Sequence, residues 1–261
     1  MILSLSEKKA IICGSTQGIG LAIAEELALL GANCTLLARN EEALQKAVLK
    51  LDTQLRQQHE YLVADFAQPD QVKKVIEKYV SDNTVHILIN NTGGPPAGAI
   101  AEAEEQDFLH AFNQHLVCNH ILVKSVLPGM KKENFGRIVN VISTSVKIPL
   151  PNLGVSNTIR GAVASWAKTL ANELGQFNIT VNNVLPGYTA TQRLTSIIDN
   201  KLKKGNGTAE EIENAMMQKV PMRRFAAPAE VAAVAAFLAS PAASYVNGVS
   251  IPVDGGRTGS I

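Results

Sequence analysis

Three glycines in a seven-residue stretch, Gly14, Ser15, Thr16, Gln17, Gly18, Ile19 and Gly20, stand where a short β-branched run gives way to helical periodicity. Glycines at a strand-to-helix turn let backbone N–H groups approach a ligand unobstructed, and the helix dipole adds partial positive charge, so the turn suits a pyrophosphate. The spacing is not the common G-x-G-x-x-G, and a bare turn would use glycine as well. The next strand end supplies the test: an acidic residue about 20 positions beyond the glycines would bind the adenosine ribose of NAD. The chain has Arg39 and Asn40 there. A guanidinium pairs with a 2′-phosphate and no carboxylate repels it, which favours NADP(H) over NAD(H); a solvated surface arginine is the alternative. Asp65 and Phe66 end a third strand, where they could contact adenine, and Asn90, Asn91, Thr92 and Gly93 end a fourth. Together these strand ends predict one crevice.

The elements that must carry them alternate along the chain. Ala10–Cys13, Cys34–Ala38, Tyr61–Asp65, His86–Asn90, Arg137–Ile142, Ile179–Leu185 and Val249–Val253 read as buried strands. Amphipathic segments separate them, which implies a doubly wound, seven-stranded parallel sheet with helices on both faces, an α/β Rossmann fold. Ile19, Ala22, Ile23 and Leu27 recur at helical spacing and Gly31 stops that helix, completing a βαβ unit. No linker, repeat or composition shift divides residues 1–261, so a single domain is expected. The least sheet-like part is Gln192–Met222, with a polar Lys201–Gly207 and a helix capped by Thr208 and Glu211 running to about Lys219. Following directly on a strand end, it is a candidate substrate lid.

Bulk properties agree with small-molecule chemistry. Hydrophobic residues make up 46% and charged residues 18% of the chain, enough for a sheet covered on both faces. The net charge is +1 with no long basic block, which argues against nucleic acid as a partner. Three cysteines, an odd number and two of them in strands, suit reduced core thiols and a cytoplasmic home. A first strand beginning near Ala10 leaves little room for a leader, and no apolar stretch is long enough for a membrane. No metal site is expected.

The pattern resembles the short-chain dehydrogenase/reductase family over about Ser6 to Gly256, most closely its 3-oxoacyl-carrier-protein reductase branch. Cys13-Gly14-x3-Gly18-Ile19-Gly20 looks like T-G-x3-G-x-G, Asn90-Asn91-Thr92-Gly93 like N-N-A-G, Asn182-x3-Pro186-Gly187 like N-x3-P-G, and Val253-Asp254-Gly255-Gly256 like the closing strand. The resemblance implies an NADP(H)-dependent oxidoreductase acting on a small carbonyl or alcohol. It also implies a homotetramer, or a homodimer, built on the helices after the fourth and fifth strands. Pro186, Gly187, Thr189 and Thr191 would then flank the cofactor, with a helix cap as the other use of the threonines.

At the catalytic end the family pattern breaks. The resemblance places the carbonyl-polarising serine at Ser143, with Ser145 as a substitute, but Ser156 stands at the tyrosine position and Arg160 at the lysine position. A serine hydroxyl has no accessible ionised form near neutrality, and a permanently protonated guanidinium can hold ribose hydroxyls without relaying a proton. His115 falls where the family has an asparagine, with Asn113 and Asn119 as other alignments. Three groups could supply the missing proton: Tyr188 after Gly187, His115 if it titrates near neutrality, and Lys147. Trp166, Phe177 and Phe237 read as core or interface aromatics. Two functions remain: an oxidoreductase with a non-standard active site, or an NADP(H)-binding sensor or regulatory subunit that has lost turnover.

Overall fold

The computed structural model describes residues 1–203, 205 and 207–260. Lys204 and Asn206, within the expected polar stretch, and Ile261 lie outside the described residues. Seven parallel strands, β1 (Lys9–Cys13), β2 (Asn33–Ala38), β3 (Glu60–Val63), β4 (Ile87–Asn90), β5 (Gly136–Val141), β6 (Ile179–Pro186) and β7 (Ser250–Val253), form one sheet in the order β3-β2-β1-β4-β5-β6-β7. The expected strands are all present, with ends displaced by one or two residues. Asp65 lies beyond β3 because its N–H bonds the Gln71 side chain and its Oδ1 accepts from Ala67 N, closing a turn.

Period-2 alternation divides strands β1 to β6 between two cores. Ala10 and Ile12 of β1 join one buried cluster, whereas Ile11 and Cys13 join the other. Helices α1 (Gly18–Leu29), α2 (Glu41–Val48) and α9 (Pro228–Ala239) cover the first face. The second is covered by α3 (Pro69–Val80), α5 (Cys118–Lys132) and α6 (Gly154–Leu174). Pro69 and Pro228 each open their helix, where a missing N–H costs nothing. The three cysteines are buried and unpaired.

A row of amides ties the second half of the sheet together. Asn90 Nδ2 donates to Asn140 Oδ1, Asn140 Nδ2 to Asn183 Oδ1, and Asn183 Nδ2 to Ser250 Oγ, at 2.9, 2.9 and 3.0 Å. Each residue faces the next in strand register, so one polar side chain per strand crosses β4 to β7.

Helix α4 (Glu105–Phe112) runs into α5 through a π-helical turn at Asn113–Val117. Such turns are rare and concentrate at functional sites. After β6 come α7 (Gln192–Lys203) and α8 (Ala209–Met217). The polar start of the 201–207 stretch is therefore helical through Lys203. Thr208 and Glu211 do form the expected capping box, and α8 stops at Met217 rather than near Lys219. Leu194, Ile198, Ile212 and Met216 give these two helices a small core of their own. No helix among the described residues is long and apolar enough to cross a membrane.

Candidate active site

The strand order reverses between β1 and β4, and an open cleft of about 320 Å³ lies at the carboxyl ends of the strands there. Its walls bring together residues from four parts of the chain. Gly14, Gln17, Gly18 and Ile19 come from the first turn, Asn91, Thr92, Gly93 and Gly94 follow β4, and Ser143, Ser156 and Arg160 follow β5. Pro186, Gly187, Tyr188, Thr189 and Thr191 follow β6, joined by Arg193 of α7 and Arg257.

The glycine turn has a shape other residues would not keep. Gly14 and Gly18 both have φ near +58°, in the left-handed region. A Cβ on Gly20 would lie 2.2 Å from Gly14 O and 2.6 Å from Asn91 Nδ2. Asn91 Nδ2 bonds the carbonyls of Cys13 and Gly14, both at 3.2 Å, and so stitches the turn to the end of β4. Helix α1 begins here without a side-chain cap and with no acidic residue in its first turn, leaving its N–H groups and dipole for a ligand. Ser15 Oγ is buried without a partner, and Thr191 Cγ2 lies 3.3 Å from where a Gly18 Cβ would be. This donor set, with a carboxylate-free wall, fits a dinucleotide pyrophosphate.

Thr16, Arg39, Asn40, Asp65 and Phe66 lie outside this cleft, along the ends of β1, β2 and β3. Ala64 N bonds Ala38 O, so the residues that follow these two strands emerge side by side. Arg39 is exposed, with no salt bridge or hydrogen bond among the described residues. Asn40 Oδ1 accepts from Ala43 N at 2.9 Å and caps α2, which leaves its Nδ2 to donate. Phe66 packs against the second core, and its carbonyl accepts from Cys118 Sγ.

Around the reacting end, Ser143 Oγ accepts from Ser145 N at 3.1 Å, which leaves its O–H free to donate into the cleft. Ser156 and Arg160 lie one turn apart on α6, on the same face. Arg160 is buried and makes one long bond, Nη1 to Val141 O at 3.4 Å. Burial, with Arg193 nearby, lowers its pKa to about 10, so it is a cation at neutral pH. The Tyr188 ring meets Phe225 edge-on and carries Arg257 4.2 Å above its centroid. Thr189 Oγ1 and Thr191 Oγ1 donate to the carbonyls of Gly187 and Thr189.

Two proton-transfer candidates are corrected. His115 is fully buried in the π-helical turn, its Nδ1 2.5 Å from Thr92 Oγ1. Burial, and then the charge of Arg160, push its pKa down to about 2, so it does not titrate near neutrality. Lys147 is exposed and does not line the cleft. Asn113 is exposed and Asn119 buried; of the three, His115 is the one bonded to a residue of the cleft wall. Sequence reasoning missed Arg193 and Arg257 as lining residues. An arginine two positions past Thr191, on a segment read as a lid, was the available signal for Arg193.

A family model described as enoyl-(acyl carrier protein) reductase matches residues 14–258. The chain is 30% identical over 261 residues to the NADPH-dependent reductase BacG of Bacillus subtilis (strain 168), covering 98% of this chain and 100% of that one. To the 3-oxoacyl-[acyl-carrier-protein] reductase FabG of Chlamydia trachomatis it is 29% identical over 253 residues, 97% and 98% of the two chains. Among solved structures it is similar to L-sorbose reductase from Gluconobacter frateurii in complex with NADPH and L-sorbose. That match has a TM-score of 0.93 at 31% identity and covers all of both chains.

Proposed function

The chain belongs to the short-chain dehydrogenase/reductase family, and on that premise we propose an oxidoreductase that uses NADP(H) to interconvert a carbonyl and an alcohol through Ser143, Arg160 and Tyr188. The observation that carries this reading is the convergence of the glycine turn, Ser143 and Arg160 on one cleft. Relatives named for NADPH-dependent reduction support the cofactor, and the unpaired Arg39 supports the choice of NADP(H).

When bound, the nicotinamide supplies the hydride. The chain's own residues do the rest. The turn at Gly14–Gly20 holds the pyrophosphate on N–H groups, with Ser15 as a further donor. Thr189 and Thr191, beside Pro186 and Gly187, close the wall over that turn. Ser143 donates to the substrate oxygen, where negative charge grows as hydride arrives, and the Arg160 cation lies in the same cleft. Arg160 also has donors enough for a ribose hydroxyl. Tyr188, the phenol in the cleft wall, gives the oxygen its proton; Ser156 is the hydroxyl standing at the family's tyrosine position and takes no ionised form. Helices α7 and α8, with their separate small core, act as a lid that excludes water. Exposed Leu109 and Phe112 on α4 suit the homotetramer or homodimer that the family uses, in the cytoplasm.

NADPH consumption across a panel of carbonyl compounds tests the reading. Ser143→Ala is expected to lower kcat/KM by about 10²-fold or more, with Tyr188→Phe similar and NADPH affinity kept in both. The second reading, a binding protein without turnover, draws on the neutral, buried His115 and the absent tyrosine–lysine pair. Tight NADPH binding with no consumption of any panel member would select it.

A further inference from the structure

Three guanidiniums and no carboxylate line the cleft among the described residues: Arg160, Arg193 and Arg257. Two of them converge. A Cβ on Gly94 would lie 3.6 Å from Arg193 Nη2 and 3.8 Å from Arg160 Nη2, so both forks reach the same point above the end of β4.

Neither cation has an anionic partner within the described residues. Arg160 is only 7% exposed, and its single bond is the long one to Val141 O. Arg193, exposed at the start of α7 but lining the cleft, bonds Pro95 O at 2.8 Å with Nη2. Arg137 shows how this fold treats a guanidinium that needs no ligand. It is equally buried, but its donors reach three carbonyls, of Gly136, Asn178 and Ser240, and it stacks on Phe135 at 4.3 Å. A buried guanidinium with open donors and a second like charge converging on it is costly unless an anion joins them.

The anion is not the pyrophosphate. That group has its own N–H cradle after β1, whereas Arg160 is tied to the end of β5, two strands away, or about 10 Å. With the pyrophosphate on the β1 turn, Ser143 and Arg160 would face the nicotinamide end of the coenzyme, which carries no phosphate. We propose that Arg160 and Arg193 bind a carboxylate of the substrate, so that the molecule converted in this cleft is an oxo acid or hydroxy acid. The inference rests on the reading of the cleft as an NADP(H) oxidoreductase site, and it names the substrate class. A planar fork matches the two oxygens of a carboxylate, and with Arg193 carried by α7 the substrate itself draws the lid onto the cleft.

The test pairs 2-, 3- and 4-oxo acids, phenylglyoxylate among them, with their methyl esters in an NADPH-oxidation assay of the full chain. At least one acid should exceed its ester about tenfold in kcat/KM, and Arg193→Gln should collapse that ratio toward one. Esters used as well as acids, or a ratio that Arg193→Gln leaves intact, overturn the proposal. Should no compound be reduced, the oxidoreductase reading fails, and calorimetric titration of phenylglyoxylate into NADP⁺-saturated protein still decides the anion site. Binding weakened about tenfold by Arg193→Gln supports it; absent or unchanged binding refutes it. NADPH affinity is measured on the same variant. A tenfold loss there would assign the guanidinium to the cofactor and overturn the proposal.

Discussion

Asn140 accepts from Asn90 and donates to Asn183 in the same plane of the sheet, both bonds at 2.9 Å, three residues before Ser143. A buried amide replaced by an apolar group leaves its partners unsatisfied, at about 1–3 kcal/mol each. Asn140→Leu strands two such groups, Asn90 Nδ2 and Asn183 Oδ1. Urea unfolding is expected to show a loss of about 2–6 kcal/mol, with the m-value unchanged.

Gly20→Ala tests the cradle. The new methyl would sit 2.2 Å from a carbonyl that cannot move without breaking the bonds of Asn91. NADPH affinity, read from the coenzyme's fluorescence, is expected to fall at least about tenfold, with a cost of about 1–3 kcal/mol in stability.

Arg39→Ala tests the coenzyme choice. Hydrogen bonds between charged groups contribute about 1.5–3 kcal/mol, so NADPH should bind about 10- to 100-fold more weakly. NADH, which has no 2′-phosphate, should be unaffected, and parallel titrations of the two coenzymes give the ratio directly.

His115 sets an acid limit on stability. Its pKa falls from the ordinary 6.5 to about 2 on folding. Between those values the unfolded chain holds a proton that the folded chain does not, so stability rises with pH through the window and levels off above about 6.5. The slope approaches about 1.4 kcal/mol per pH unit. Buried His86 is lowered too and adds in the same direction, whereas Glu230, held down to about 2 by Arg224, acts only below the usual carboxylate range. Denaturation of His115→Gln between pH 5 and 6.5 should show a flatter dependence than the parent chain.

The five inner strands were legible because each is a short, mostly apolar run buried on both faces, and β1 with its alternate residues in two cores is the clearest case. The glycine turn was legible because backbone shape demanded a residue type. Ser156 and Arg160, singled out by their spacing from Ser143, both line the cleft. What escaped depends on tertiary placement. The π-helical turn has no composition of its own, and the depressed pKa of His115 comes from burial and Arg160, 45 positions later in the chain. Arg193 and Arg257 look like any surface cation until α7 and the C-terminal segment fold back on the cleft. The amide row was half visible: Asn90, Asn140 and Asn183 are polar residues in otherwise apolar strands, but only register joins them.

Asn91 reaches the carbonyl of Cys13 across 78 positions of sequence. As the chain leaves the ribosome, the glycine turn therefore emerges long before the side chain that fixes it. A nascent segment ending ahead of that asparagine has the motif without the clamp. The turn takes its final shape only once β4 has paired beside β1, so on the proposed reading the coenzyme's cradle is completed late in synthesis.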